Sequence, residues 1–134
     1  MFKSHPVLIV SSNPAQGEQI AELVRRCRLS SVLAPTLTAA HQILAKTKPL
    51  LVFCSDELND SNLSNSIQML RAESGVPVIA LSRLAEWEPY MQACSAGAFD
   101  YIACPPEPKE SRRVLSSALH QFRREHPRAR QHAA

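Results

Sequence analysis

The chain has 134 residues, enough for one compact domain, and its apolar fraction of 45% and charged fraction of 20% are ordinary for a globular protein. A formal net charge of +3 is too small to indicate nucleic-acid binding by itself. No apolar run approaches the roughly 20 residues that cross a bilayer, and the N-terminus lacks a signal-peptide cleavage pattern, so we expect a cytoplasmic protein without a membrane span.

Apolar runs alternate with segments of helical periodicity from the start of the chain. The first predicted strand is Val7–Val10, and Asn13 is placed to cap the helix that follows it. A second strand is predicted at Ser31–Ala34, before a helix that begins at Thr36 or Thr38. The first third of the chain therefore contains two strand–helix units.

Three further strand–helix units complete the chain. The remaining strands are predicted at Leu50–Cys54, Val76–Leu81 and Ala98–Ala103. We expect Met91 and Cys94 to face the core from the fourth helix, and Gly97 to end that helix in the left-handed conformation. Five βα units with nearly unbroken apolar strands predict an α/β domain, in which helices cover both faces of a parallel sheet.

Small polar side chains and a thiol follow the predicted strands. Ligands of open parallel sheets bind beyond the carboxyl ends of the strands, so these residues form the candidate site. They are Ser11, Ser12, Ser55, Ser82 and Cys104.

The four cysteines have no C-x-x-C spacing and no histidine at metal-ligand spacing. Each lies in or beside an apolar stretch, where a free cysteine behaves as a small hydrophobic residue. We therefore expect reduced, mostly buried thiols at Cys27, Cys54, Cys94 and Cys104.

The predicted domain spans residues 1–124. Residues 125–134 are basic and lack apolar periodicity, which predicts a solvated tail or linker. A phosphate-binding arm is the alternative for this segment.

Four segments, in order, resemble the receiver domains of two-component response regulators. The stretch VLIVSSNP resembles the first strand and turn of that family, where two acidic residues precede Asn-Pro. KPLLVFCSDELND resembles the third strand and its loop, VPVIALS the fourth strand, and GAFDYIACPPEP the fifth strand. The resemblance covers Pro6 to about Arg124. It implies a flavodoxin-like (βα)5 three-layer sandwich with strand order 2-1-3-4-5.

The resemblance also implies which residues occupy the phosphoacceptor pocket of the family. In that family two acids and an aspartate bind Mg²⁺, the aspartate accepts a phosphoryl group, a lysine pairs with it, and a Thr or Ser moves to bind it. By position, Ser11 and Ser12 replace the acidic pair, Ser55 the phosphoacceptor and Cys104 the lysine. Ser82 keeps the hydroxyl, and Tyr101 matches the aromatic residue that moves with it, so these two form a switch-like pair.

These substitutions remove the charges on which the family's chemistry depends. Mg²⁺ requires carboxylate oxygens, and a serine hydroxyl without a neighbouring base is a weak nucleophile. We therefore expect no metal, no cofactor and no enzymatic activity. The sequence predicts a degenerate receiver, or pseudo-receiver, that acts in bacterial signal transduction as a phosphorylation-independent interaction module.

Two other functions are left open. Asp56 is a candidate for a displaced phosphoacceptor, although side-chain alternation along a strand predicts that it points away from the pocket. An unrelated enzyme on the same fold is the second alternative, but the first turn lacks G-x-G-x-x-G and no Ser-His-Asp set is apparent. Asp56, Glu57 and Asp60 are expected to be solvated loop charges, with a loose cation site as the alternative. Cys104 is expected to be a packing residue; a redox-reactive thiol is the alternative, for which Arg83 is the only candidate cation.

The resemblance places the signalling surface on the fourth helix, the fifth strand and the last helix. Aromatic residues and arginine dominate the energetics of protein interfaces. The candidates on this face are Trp87, Tyr90, Tyr101 and Arg112. We expect a protein partner there, a second copy of the chain included, and neither nucleic acid nor membrane. The alternative is that Trp87 covers the first turn of its helix and that Arg112 and Arg113 form a solvated face.

Overall fold

The computed structural model describes residues 5–83 and 87–127, and the side chains of residues 87–89 lie outside that description. Five strands alternate with five helices, as the apolar pattern predicts. The strands are β1 (Val7–Val10), β2 (Ser31–Ala34), β3 (Leu51–Ser55), β4 (Val78–Ser82) and β5 (Asp100–Ala103). The helices are α1 (Pro14–Arg26), α2 (Leu37–Leu44), α3 (Leu63–Ser74), α4 (Trp87–Ser95) and α5 (Pro108–Glu125).

All strand pairs are parallel, and the sheet order is β2-β1-β3-β4-β5. The predicted fold class and strand order are confirmed. The predicted ends of β3 and β4 were one residue too early, because Ser55 pairs with Leu81 and Ser82 pairs with Ala103 in the parallel ladder. A polar residue at a strand end continues the backbone pairing although it interrupts the apolar run.

The core lies on the three central strands. Every residue of β1, β3 and β4 is buried, whereas the edge strand β2 exposes Leu33 by 44%. The last helix buries one apolar face, which is formed by Val114, Leu115, Ala118 and Phe122. Cys54 is buried, and the other three free cysteines are half-buried.

On α4 the predicted core face is wrong for Met91, which is 42% exposed. Among the residues of this helix whose side chains are described, the buried one is Ala93, two positions further on. Two residues correspond to about 200° around a helix, so the face that buries Ala93 turns Met91 outward. Cys94 is half-buried.

The helix ends follow the predicted caps. The Asn13 side chain accepts from the N–H groups of Ala15 and Gln16, and Thr36, rather than Thr38, caps α2. Gly97, just beyond α4, has φ +106°, a backbone conformation that L side chains rarely adopt. These caps place the polar side chains of the α1 N-terminus beside the end of β1.

The last helix ends at Glu125, and residues 128–134, most of the predicted basic tail, lie outside the described residues. Within the described ranges, no helix has the length and apolar character needed to cross a membrane.

Candidate functional site

The structure brings the five predicted cleft residues to one edge of the sheet. Ser11 and Ser12 follow β1, Ser55 and Ser82 end the two neighbouring strands, and Cys104 follows β5. Ser55 and Ser82 are fully buried, and the other three are half-buried. The edge is therefore a cleft lined by hydroxyls and one thiol.

The three serines at the predicted metal and acceptor positions form hydrogen bonds within the protein. Ser11 Oγ donates to Gln16 Oε1 at 2.8 Å and accepts from Asn13 N at 3.1 Å. Ser12 Oγ donates to the Pro35 carbonyl at 2.5 Å and accepts from Asn59 N at 3.0 Å.

The buried Ser55 hydroxyl accepts from the backbone N–H of Glu57 at 2.8 Å. Together these bonds shape the turn after β1 and tie it to the β3–α3 loop. Each of the three hydroxyls is therefore committed to a polar group of this chain.

A carboxylate that the sequence assigned to solvent enters the cleft. Glu57 Oε2 accepts from Asn13 Nδ2 at 3.0 Å and from Gln16 Nε2 at 3.3 Å, and its Oε1 lies 3.6 Å from Arg83 Nε. The Glu57 side chain is only 20% exposed. The sequence signal for this contact was the pair of carboxamides on Asn13 and Gln16 at the start of α1. Their spacing of three residues puts both on one helix face.

The Asp56 carboxylate also points into the protein. Its Oδ2 accepts from the Ser82 hydroxyl at 2.9 Å, and its Oδ1 is buried without a hydrogen-bond partner among the described residues. The alternation rule predicted that Asp56 points away from the pocket, but its carboxylate reaches Ser82 at the end of β4, although its N–H still donates to the Leu81 carbonyl of that strand at 2.9 Å.

The third acid of this loop, Asp60, holds the N-terminus of α2. Its carboxylate accepts from the N–H of Leu37 at 3.0 Å, the N–H of Thr38 at 3.1 Å and the Thr38 hydroxyl at 2.9 Å. These bonds, that from the Leu37 N–H foremost, lower the pKa of Asp60 below its usual value. The prediction of solvated loop charges was thus wrong for Asp56 and Glu57, whereas Asp60 is exposed.

Sequence and structure comparisons place this geometry among known proteins. No family model matches the chain. The chain is 26% identical over 104 residues to the DNA-binding response regulator MtrA of Mycolicibacterium smegmatis, an alignment that covers 78% of this chain and 46% of that protein. It therefore spans about half the length of the curated relatives it matches.

Solved structures agree in fold. A putative response regulator from Chloroflexus aurantiacus has a TM-score of 0.81 at 23% identity, covering 88% of this chain and 99% of that chain. The BeF3-activated N-terminal receiver domain of Klebsiella pneumoniae RstA has a TM-score of 0.78 at 23% identity, covering 86% and 98%. The chain therefore has the fold of CheY-like response-regulator receiver domains.

The residues present in this cleft do not fit the Mg²⁺ ion that the fold family implies. Where the resemblance places metal-binding acids there are Ser11 and Ser12, whose hydroxyls bond to other protein groups. The Glu57 carbonyl, in the loop after the acceptor position, accepts from Ser12 N at 2.8 Å. No group of three or more His, Cys, Asp or Glu in the described parts of the chain is arranged to hold a metal ion.

The thiol at the lysine position of the receiver fold is a weak acid. Burial raises the pKa of Cys104 to about 11. The nearby carboxylates of Asp56 and Glu57 add to this rise, whereas a hydrogen bond with Gln16 opposes it. Burial likewise raises the pKa of Cys54 to about 12. Arg83, the only cation that the sequence offered to Cys104, pairs with Glu57.

We expect Cys104 to alkylate slowly. At pH 8 its reaction with iodoacetamide should be about a hundredfold slower than that of the same residue in the urea-unfolded chain, because the thiolate is the nucleophile. Peptide mapping after timed quenching measures the rate at each cysteine. Equal rates in the folded and unfolded chains would contradict the raised pKa.

The structure brings together only some of the residues that were predicted to form the partner-binding surface. Tyr90 and Tyr101 form an edge-to-face pair with ring centroids 5.7 Å apart, and Tyr90 is 38% exposed. Arg112 lies elsewhere, in a groove of about 350 Å³ that it lines with Leu23 of α1 and Pro106. The side chain of Trp87 lies outside the described residues, although its backbone begins α4.

Proposed function

We propose that this receiver domain is a pseudo-receiver: a cytoplasmic protein-interaction module of bacterial two-component signalling whose state does not depend on an aspartyl phosphate. One observation carries the proposal. The cleft in which a receiver of this fold is expected to bind metal and phosphate contains an internal hydrogen-bond network centred on Glu57, and the three serine hydroxyls are committed to other protein groups.

The charges in the cleft support this function. Phosphoryl transfer is catalysed mainly by positioning and by cations that neutralise the transferred group. Among the described residues, Glu57 pairs with Arg83, which is 65% exposed, and the neighbouring Asp56 carboxylate accepts from the Ser82 hydroxyl rather than from a cation. An incoming phosphoryl group would meet more negative than positive charge.

We also propose that the domain binds no Mg²⁺, because Ser11 and Ser12 stand where the metal-binding acids are expected and their hydroxyls bond to other protein groups. We propose that it has no enzymatic activity of its own.

Protein partners, a second copy of the chain included, are proposed to bind the face formed by α4, β5 and α5. The exposed Tyr90 ring, packed edge-to-face on Tyr101, gives this face a rigid aromatic surface. Met91 adds a further exposed apolar side chain on the same helix. Nothing in this surface calls for nucleic acid or a membrane.

A second candidate function is supported by Asp56. Its carboxylate lies one residue beyond the acceptor position and accepts a hydrogen bond from the Ser82 hydroxyl, the group that the family uses to bind phosphate. A receiver phosphorylated at Asp56 would use this pair.

The test is phosphorylation of the wild-type domain. After incubation with acetyl phosphate and Mg²⁺, we expect the intact mass to be unchanged, and beryllofluoride with Mg²⁺ to leave the amide NMR spectrum unchanged. Addition of one phosphoryl group would overturn the pseudo-receiver function. If Asp56→Asn then abolished that addition while Asp60→Asn did not, the displaced-acceptor function would stand in its place.

A further inference from the structure

The Glu57 carboxylate is contacted by three donor side chains from two separate parts of the chain. Asn13 precedes α1, Gln16 lies in its first turn, and Arg83 follows β4. Their distances to the two carboxylate oxygens are 3.0, 3.3 and 3.6 Å. Convergence of two amides and a guanidinium on one carboxylate is the arrangement of a ligand site.

The two amide donors are held in place by other hydrogen bonds. Asn13 uses its Oδ1 to cap α1, accepting from Ala15 N at 3.0 Å, which turns its Nδ2 toward Glu57. Gln16 is 3% exposed, and its Oε1 accepts from the Ser11 hydroxyl, which leaves Nε2 for Glu57. Both amides are thus oriented by bonds that do not depend on Glu57.

The backbone of Glu57 is fixed as well. Its N–H donates to the buried Ser55 hydroxyl at 2.8 Å, and its carbonyl accepts from Ser12 N at 2.8 Å. A side chain anchored on both sides of its Cα has a restricted range of directions, which lowers the entropy lost when its carboxylate binds the amides.

We propose that the cleft is a binding site for a single carboxylate and that its resident ligand is the side chain of Glu57. The class of ligand follows from the charges. One guanidinium and two neutral amides match one negative charge, and the neighbouring Asp56 carboxylate disfavours a dianion such as phosphate. When Glu57 is removed, the donors remain, and the site accepts a small external carboxylate.

The same contact connects the cleft to the segment before α4. Arg83 is the last described residue before that helix, and its pairing with Glu57 joins the β3–α3 loop to that segment. A role for this connection in linking the cleft to the partner surface rests on the proposed function. The carboxylate site itself does not, because its contacts are independent of phosphorylation.

The experiment uses the Glu57→Ala variant and acetate as the probe. In ¹⁵N-labelled protein, the side-chain amide signals of Asn13 and Gln16 should shift when Glu57 is truncated. Titration with sodium acetate should return them saturably toward their wild-type positions, whereas sodium chloride at equal ionic strength should not. Wild-type protein and Glu18→Ala, which removes an exposed glutamate of α1, should show no saturable response to acetate.

Identical amide signals in the wild-type and Glu57→Ala proteins would overturn the proposal, as would equal acetate responses in both. If Glu57→Ala does not fold, the wild-type protein serves instead. Its Glu57 side-chain carboxyl ¹³C shift and the Asn13 and Gln16 amide shifts should then follow one common pH titration curve, and separate curves would contradict the contact. Neither measurement involves phosphate, so failure here and failure of the phosphorylation test are distinguishable.

Discussion

Replacement of Ser55 by Asp is expected to lower the free energy of unfolding at neutral pH by about 3 kcal/mol. Removing one partner of a buried ion pair, which likewise leaves a buried charge without a partner, costs a similar amount. Ser55 is fully buried at the end of β3, and the nearest charged side chains in sequence are Asp56 and Glu57. Restoring the acid that typical receivers have at this position therefore adds a third negative charge to the cleft without a matching cation. The free energy of unfolding from urea titrations measures the loss.

The control is Ser55→Asn, which has nearly the same shape and no charge. The introduced Asp has a higher pKa in the folded protein than in the unfolded chain, so the folded protein binds more protons. The free energy of unfolding of this variant therefore falls as pH rises from the unfolded pKa to the folded pKa. The two variants should therefore be equally stable near pH 4, about the pKa of an unfolded Asp, and should diverge as pH rises toward the pKa of the folded state. A difference that does not change between pH 4 and pH 8 would contradict the uncompensated charge.

The architecture was predictable because it depends on features that are local in sequence. Apolar runs such as Val7–Val10 bury both faces of a strand wherever they occur in the parallel sheet. Asn13 forms its cap with residues two and three positions away, so its role follows from spacing alone. The strand order required the resemblance to receivers, since a list of βα units is compatible with several orders.

The cleft was only half predictable. The positions of the serines follow from where the strands end, which the apolar runs locate to within one residue. The directions of the loop acids do not follow from that, because they depend on contacts between residues far apart in the chain. Glu57 binds Asn13 and Gln16, more than forty residues earlier, and Asp60 binds the start of α2, more than twenty residues earlier. Hydrophobic periodicity contains no information about such pairs.

The prediction of a core position for Met91 failed for a different reason. The angular position of Met91 on α4 depends on which side chain the helix buries, and Ala93 is too small to dominate an apolar pattern. Arg112 and Arg113 are neighbours on α5, so they are about 100° apart around the helix. Arg112 lines the groove against α1 and is exposed, as is Arg113. A solvated face for these two arginines and a place for Arg112 on the partner surface therefore both stay predictions.

The cleft and the core stabilise the domain by different means, and the core should dominate. Phe53 is the largest fully buried side chain and lies on the central strand β3, in register with Ile9 of β1 and Ile79 of β4. Replacement of Phe53 by Ala should lower the free energy of unfolding by about 3–5 kcal/mol, because the transfer free energy is lost and the neighbouring strands prevent the cavity from closing. Urea titration should show a lower midpoint with an unchanged slope.

Phe53→Leu is the matched control, since it keeps an apolar side chain of intermediate volume and should lose less than half as much. The effect should not depend on pH between 5 and 8, because no titratable group is removed, in contrast to Ser55→Asp. Both substitutions lie on β3 within two residues of each other, yet one alters packing and the other alters charge. If Phe53→Ala acquired the pH dependence expected of Ser55→Asp, packing at Phe53 and charge in the cleft would be coupled, and the assignment of the Ser55→Asp effect to charge alone would be wrong.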